Sequence, residues 1–430
     1  DRLDVINPAT EQLVGTVAEA GIPECDRALE SARKTFDDGG WANTDVQERS
    51  RILGVFLDCI EAKAQQIVAL MVEETGTPVT SAANFMFHPA LVICRHYLNV
   101  AREDHSYMSP VETSPGMQGG SVISTGAVVL EPVGVVVCIT PFNAPLFLNL
   151  GKIIPAMVMG NSVILKPSPL TPMQALFLGD IAQEAGLPEG VLNIITGPVA
   201  VSEKLTSDPR VDLVSFTGSD LVGSAIMGQA APSLKRVMLE LGGKSANIVC
   251  ADADLDSAAM FAIGGTSTLA GQGCAISTRH LVHRSVYEKF NQRVQRLSWA
   301  FMCGDPQLGA TMLGPLISAQ QRERVEKYVQ LGLDQGGKLL CGGKRPNYLK
   351  QGYYHEPTVF IDLDNQSRVA REEIFGPVAI VIPFDTEDEA IAIANDCDYG
   401  LSGNVFSKDT GRAYQLARRM RTGSVWINGG

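Results

Sequence analysis

The chain has no apolar run of the roughly 18 to 20 residues that a membrane span requires. Its best stretch, Leu146 to Gly160, is interrupted by Asn149, Lys152 and Pro155. No signal-peptide pattern stands at Asp1. There is no Cys-x-x-Cys pair, and the nine cysteines are scattered and odd in number. That argues against a disulfide framework or a zinc site and fits reduced thiols in a cytoplasm. His280 and His283 lie three apart on an expected strand, so they point to opposite faces and do not form a joint metal site. There is no positive excess either. A net charge of -12 argues against a nucleic-acid partner, because phosphate binding wants a basic face. Low-complexity tracts and fixed-period repeats are also absent.

What is present describes a large globular protein. A length of 430 residues suits two or three domains, and 45% hydrophobic against 19% charged content reads as soluble. The opening third is expected to be mainly helical, over Ile22 to Phe36, Asp45 to Glu74 and Ser81 to Arg102. Ile6 to Thr10 reads as a turn. Met108 to Gly120 reads as a crossing loop, and Ser121 to Glu131 as a strand outside the helical rhythm.

From Gly134 strands and helices alternate. Val135 to Ile139 is a continuous β-branched run, the mark of a buried parallel strand. Ser162 to Leu165, Val191 to Ile195, Leu213 to Phe216 and Val237 to Leu241 continue the series, with helices between them. The pattern predicts an α/β fold with a doubly wound, Rossmann-type parallel sheet, on which ligands sit beyond the carboxyl ends of the strands. A second α/β series follows Gly243.

The residues just after the strands of the first sheet are Thr140-Pro141-Phe142-Asn143, Lys166-Pro167-Ser168-Pro169, Thr217-Gly218-Ser219 and Glu240-Leu241-Gly242-Gly243. A surface loop needs polar residues, but not Asn, Lys and Glu together at one rim. The second series contributes Gly271-Gln272-Gly273-Cys274-Ala275, a cysteine between small neighbours in a glycine-rich bend. Thiolate is the strongest ordinary side-chain nucleophile, and a free thiol of pKa about 8.5 is only a few per cent ionised at neutral pH. Attack on a carbonyl creates an oxyanion, which the Asn143 amide and the Cys274 backbone N–H are suited to hold. Glu240, ahead of a Gly-Gly pair where the backbone has freedom to swing, suits a base for thiol or water. Lys166 offers a cation for ribose or phosphate. Gly218 and Ser219 open a helix whose N-terminus attracts pyrophosphate. Glu373 suits a sugar, and Phe375 a ring wall.

Taken singly, each residue has an ordinary alternative. A cysteine is usually a small buried hydrophobe, Asn143 suits a turn, Glu240 an exposed strand end, Lys166 a snorkelling surface lysine, and Arg371 to Val378 plain loop packing.

Together the motifs resemble the aldehyde dehydrogenase superfamily along nearly the whole chain. The carrying segments, in family order, are Pro141-Phe142-Asn143-Ala144-Pro145, Lys166-Pro167-Ser168, Phe216-Thr217-Gly218-Ser219, Leu239-Glu240-Leu241-Gly242-Gly243-Lys244, Gly271-Gln272-Gly273-Cys274, Glu373-Ile374-Phe375-Gly376-Pro377 and Gly423-Ser424-Val425-Trp426-Ile427-Asn428. The resemblance implies an NAD(P)+-dependent aldehyde oxidation. Cys274 attacks the aldehyde, Asn143 helps hold the oxyanion, and water activated by Glu240 hydrolyses the resulting thioester. It implies a cofactor surface of Ile139, Thr140, Pro141, Phe142, Lys166, Ser168, Pro169, Gly218, Ser219, Leu241, Gly242, Glu373 and Phe375, with Lys166 on the adenosine-side ribose and Glu373 on the nicotinamide-side ribose. It also implies a cofactor domain of residues 1–110 and 132–242, a small β oligomerisation element at 111–131, a catalytic domain of 243–430, and a homodimer or homotetramer. No metal is implied.

The chain departs from the family pattern at three places. Pro169 stands where NAD-preferring relatives often carry a ribose-binding glutamate, so NAD+ is favoured with NADP+ open. Phe142 replaces a common tryptophan. Ala144, Gly151, Gly273 and Ala275 are small near the expected tunnel, which predicts room for a bulky or branched aldehyde. Relatives continue for several dozen residues past the position of Gly430, with tunnel-wall aromatics and a strand that pairs with a neighbouring subunit. The rival activities are CoA-dependent acylation, whose members usually lack the glutamate, and a non-catalytic protein on the same scaffold.

Overall fold

The computed structural model describes residues 1–103 and 105–429. Two parallel sheets organise it. The first has five strands in the order 236–240, 213–217, 135–139, 162–166, 192–194, all parallel. Its central strands Val135–Ile139 and Ser162–Lys166 are buried at every residue, which is why the first reads as an unbroken apolar run. The second has seven strands in the order 338–341, 358–361, 378–384, 277–283, 245–249, 402–406, 424–427. Only its edge pair, Lys338–Cys341 with Thr358–Ile361, is antiparallel.

Helices cover both faces of the first sheet. On one side lies an apolar layer built from Phe56, Leu57, Ile60, Met71, Phe87 and Leu146. On the other, Leu29, Val201, Leu205 and Ile226 pack against Val137 and Ile164. The doubly wound architecture expected from strand–helix alternation is therefore present.

Several local expectations are corrected. Asp45 to Glu74 is two helices, Val46–Ala62 and Ala64–Thr75. They break at Lys63 (φ -101°, ψ 17°), where no proline or glycine marks the stop. Ser81 to Arg102 is also divided, with a π-helical turn at Ala82–Phe87 ahead of His88–Ala101. The turn at Ile6 to Thr10 joins an antiparallel hairpin of Arg2–Ile6 and Leu13–Ala18, whose strands the sequence reading missed.

Met108 to Gly120 is not a plain loop. Glu112–Pro115 pairs with Ser121–Ser124, and Tyr107–Met108 with Ala127–Val128. The expected single strand Ser121 to Glu131 is thus two short ones folded back in an arm that begins at Tyr107. Every strand residue of the arm is exposed. In the second series the helix Thr410–Ala417 starts where Asp409 caps it by accepting from the Arg412 N–H.

Candidate active site

The strand ends of the first sheet form one row in register. Ile139 pairs with Lys166 on one side and with Phe216 on the other, and Thr217 pairs with Glu240. Parallel pairing with common ends places the four polar turns that follow side by side.

Lys166 is buried, and burial pushes its ammonium below the ordinary lysine range while Glu19 partly restores it. Its Nζ has no hydrogen-bond or ion-pair partner among the described residues. A buried cation held that way suits an anionic or hydroxyl-rich ligand. Ser168 is buried and its hydroxyl accepts from Leu170 N at 3.2 Å, so it shapes the turn, while Pro169 is exposed. Ser219 caps the helix Asp220–Ala230 by accepting from Val222 N, and Leu221 behind it is exposed. Leu241 lies against this helix, where a Cβ on Gly223 would meet it at 2.7 Å.

The cysteine turn comes from the second sheet. Leu269, Ala270 and Gly271 all have positive φ, of 52°, 54° and 71°. This left-handed run folds the chain back so that Gly271 touches the backbone of Gly376 and Pro377, leaving no room for a Cβ. Gly273, expected to share that freedom, has an ordinary φ, and its missing Cβ instead makes space for Ile276. Gln272 locks the bend. Its Nε2 donates to Leu269 O at 3.0 Å and its Oε1 accepts from Ile317 N at 3.0 Å.

Asn143 reaches this turn from the other sheet, donating from Nδ2 to Gln272 O at 2.8 Å. It is buried, and its Oδ1 has no partner. Cys274 is half-buried. Burial, then Glu373, then Glu240 push its thiol up, while the backbone N–H groups of Cys274 and Ala275 pull it down. Both carboxylates lie within its electrostatic reach.

Glu240 is exposed at its strand end, and its backbone carbonyl accepts from Gly218 N at 3.0 Å. Its charge is also felt by Lys152, a largely buried lysine that donates to Ser215 Oγ at 2.8 Å. The Gly242-Gly243 pair allows close approach here. A Cβ on Gly242 would lie 2.6 Å from Glu373 Oε2, and one on Gly243 would collide with Cys274 O. Glu373 rests on this turn, its Oε1 accepting from Gly243 N at 3.1 Å, and burial raises its pKa against that amide and Lys244.

Phe142 and Phe375, one from each sheet, meet edge to face with ring centroids 5.7 Å apart. They border a groove of about 860 Å³ that also touches Ser219, Gln321 and Arg324. Gln321 and Arg324 were missed in the sequence. Gln321 Nε2 donates to Ile374 O at 3.1 Å and Phe375 O at 2.7 Å, and Arg324 Nη2 donates to Glu373 O at 2.7 Å. They fix the segment whose Phe375 has φ of 58°. Their helical spacing within Ala319–Asp334 was the available signal, but nothing in sequence announces a backbone acceptor some 50 positions away.

The groove combines an aromatic pair with a capped helix N-terminus at Ser219, while Lys166 stands outside its lining.

Comparison with known proteins identifies the family. The aldehyde dehydrogenase family model matches residues 1–430. A 3-succinoylsemialdehyde-pyridine dehydrogenase from Pseudomonas is 40% identical over 99% of this chain and 87% of its own length. A geranial dehydrogenase from Castellaniella defragrans is 40% identical over 100% and 87%. Among solved structures, an aldehyde dehydrogenase of Mycobacterium tuberculosis complexed with NAD+ is 39% identical and superposes with a TM-score of 0.94, covering 100% of this chain and 87% of the other. Betaine aldehyde dehydrogenase of Staphylococcus aureus in complex with NAD+ is 35% identical with a TM-score of 0.93, covering 100% and 84%. The chain belongs to the aldehyde dehydrogenase family.

Proposed function

We infer that this protein oxidises an aldehyde to a carboxylic acid with a nicotinamide dinucleotide, through a covalent intermediate on Cys274. The observation that carries the reading is the Asn143–Gln272 hydrogen bond, which joins the rim of one sheet to the cysteine turn of the other.

The chemistry follows from the side chains present. Cys274 Sγ adds to the aldehyde carbon, and the negative charge that develops on oxygen is held by the Asn143 amide and the Cys274 N–H. Bound NAD+ supplies the hydride acceptor. Loss of hydride leaves an acyl group on sulfur, and Glu240 takes a proton from water as that water attacks the thioester carbon. The carboxylate leaves and the thiol is restored. Lys166, Phe142, Gly218, Ser219, Glu373 and Phe375 are the residues that would hold and orient the dinucleotide, with Ile139, Thr140, Pro141, Ser168, Pro169, Leu241 and Gly242 shaping the same rim. NAD+ is the expected cofactor. Pro169 cannot bind a ribose hydroxyl, nor does it repel a 2′-phosphate, so a panel must include NADP+.

Ala144, Gly151 and Ala275 remain the reason to expect a bulky aldehyde, whereas Gly273 gives its space to Ile276; the relatives named for geranial and for a pyridine-bearing semialdehyde support that choice. The chain divides into a cofactor domain of 1–110 and 132–242, an arm around 111–131 and a catalytic domain of 243–430. The arm exposes Met108, Val111, Ile123 and Val128 to Leu130, apolar surface that supports assembly as a homodimer or homotetramer. Nine free thiols fit the reducing cytoplasm.

The deciding experiment is NAD(P)H formation by wild type and Cys274→Ala across an aldehyde panel, with each cofactor and with and without CoA. Hydrolytic oxidation by the wild type alone, independent of CoA, is the expected result. CoA-dependent thioester product, or equal activity in both proteins, contradicts the reading.

A further inference from the structure

A polar bridge crosses the apolar layer between the opening helices and the first sheet. Glu74, near the end of helix Ala64–Thr75, is completely buried. One carboxylate oxygen accepts from Met173 N at 2.5 Å and the other from Gln174 N at 3.2 Å. These amides open the helix Met173–Glu184, whose N-cap, Pro172, has no side-chain acceptor. Glu74 therefore supplies from a distant helix the acceptors that this helix start lacks.

The bridge continues. Asn149 Nδ2 donates to Gln174 Oε1 at 3.4 Å, and Thr140 Oγ1 donates to Asn149 Oδ1 at 2.6 Å. Gln174 Nε2 donates to Thr171 O at 3.3 Å, and Thr140 N to Lys166 O at 3.2 Å. All four bridging side chains, Glu74, Gln174, Asn149 and Thr140, are buried. Burial is the chief cause that pushes the Glu74 carboxyl up to about 8, with Glu73 adding to it and the two amides opposing it. An apolar contact would join two helices without the cost of desolvating a carboxyl group. What an apolar contact cannot do is direct hydrogen bonds to two strand ends at once.

We propose that Glu74 is a positioning residue for the cofactor rim. Through the start of helix Met173–Glu184 and through Gln174 and Asn149, it fixes both the Lys166–Pro169 turn and the Thr140–Asn143 turn. The inference rests on the assignment of those turns to the dinucleotide.

Two measurements on the whole protein test it: amide hydrogen exchange without ligand, and calorimetric titration with NAD+. The variants are Glu74→Gln, Glu74→Asp, Gln174→Met and Lys166→Ala. In Glu74→Gln and Gln174→Met, exchange over residues 140–143 and 166–174 should quicken and the Kd for NAD+ should rise, each about tenfold, the effect of leaving one buried donor or acceptor without its bond. The kcat at saturating NAD+ should fall by less than the affinity, because Asn143, in the loosened turn, keeps its own bond to Gln272 O. Glu74→Asp, which keeps two carboxyl oxygens, should recover part of the affinity. Should Glu74→Gln fail to fold, Gln174→Met carries the test from the middle of the bridge. Unchanged exchange and unchanged NAD+ affinity in either folded variant overturn the proposal. An unchanged Kd in Lys166→Ala overturns instead the assignment of the turns, and the exchange data then still judge the bridge.

Discussion

Asn143 Nδ2 donates to the main-chain carbonyl of Gln272 at 2.8 Å, two residues ahead of Cys274. The donor follows a strand of the first sheet and the acceptor precedes a strand of the second. An amide nitrogen carries two protons, and this bond uses one. The residue proposed to steady an oxyanion thus also sets the distance between that oxyanion and the turn presenting the sulfur. Asn143→Ala should lower kcat by about 100- to 1000-fold, the usual cost of one lost donor. Steady-state kinetics at saturating aldehyde checks it, and a change under threefold removes Asn143 from the role.

Gly271 makes a second link, between the cysteine turn and Gly376-Pro377. With φ of 71° and the opposing backbone in contact, it has no room for a side chain. Gly271→Ala should destabilise the protein by more than about 1 kcal/mol and displace the nucleophile. Denaturant unfolding together with Cys274 alkylation rates measures both effects.

The Cys274 thiol is pushed up by burial and by Glu373. The thiolate is the reactive form, so alkylation by iodoacetamide should climb with pH, with its midpoint above the ordinary value of about 8.5. Glu373→Gln removes a negative charge that opposes ionisation while keeping an acceptor for Gly243 N. Its midpoint should therefore fall below that of the wild type. A midpoint that stays put means the carboxylate does not act on the sulfur.

Phe142 and Phe375 close the groove from opposite sheets. Phe375→Ala should weaken NAD+ binding, by about three- to tenfold for an aromatic wall of this kind. Its effect on unfolding should stay small, because the ring lines an open groove. Equilibrium titration of the ligand-free protein reads the affinity directly.

Much of this was legible in the sequence, and the limits have physical causes. Val135–Ile139 announced itself because a strand covered on both faces is mostly apolar throughout. The rim residues followed, since topology assigns ligands to the ends of such strands. The arm strands were harder. Glu112–Pro115 is short, exposed and partly composed of serine and proline, so it carries no alternation to detect. Gln272, Gln321 and Arg324 were missed as determinants of geometry because their partners are backbone atoms, which leave no trace in residue identity. The Gly242-Gly243 pair was singled out for backbone freedom, and the structure adds a second use for it. Its glycines admit the Glu373 carboxylate and the Cys274 carbonyl, and such proximity arises only from the tertiary fold.

The central claim is that an acyl group passes through the Cys274 sulfur and is released by water that Glu240 activates. Glu240→Gln, mixed with NAD+ and a saturating aldehyde, tests it by rapid mixing followed by mass analysis of the peptide containing Cys274. The account predicts one rapid equivalent of NADH per active site, then stalled turnover, with the acyl mass retained on Cys274. Turnover at the wild-type rate with Cys274 unmodified contradicts it.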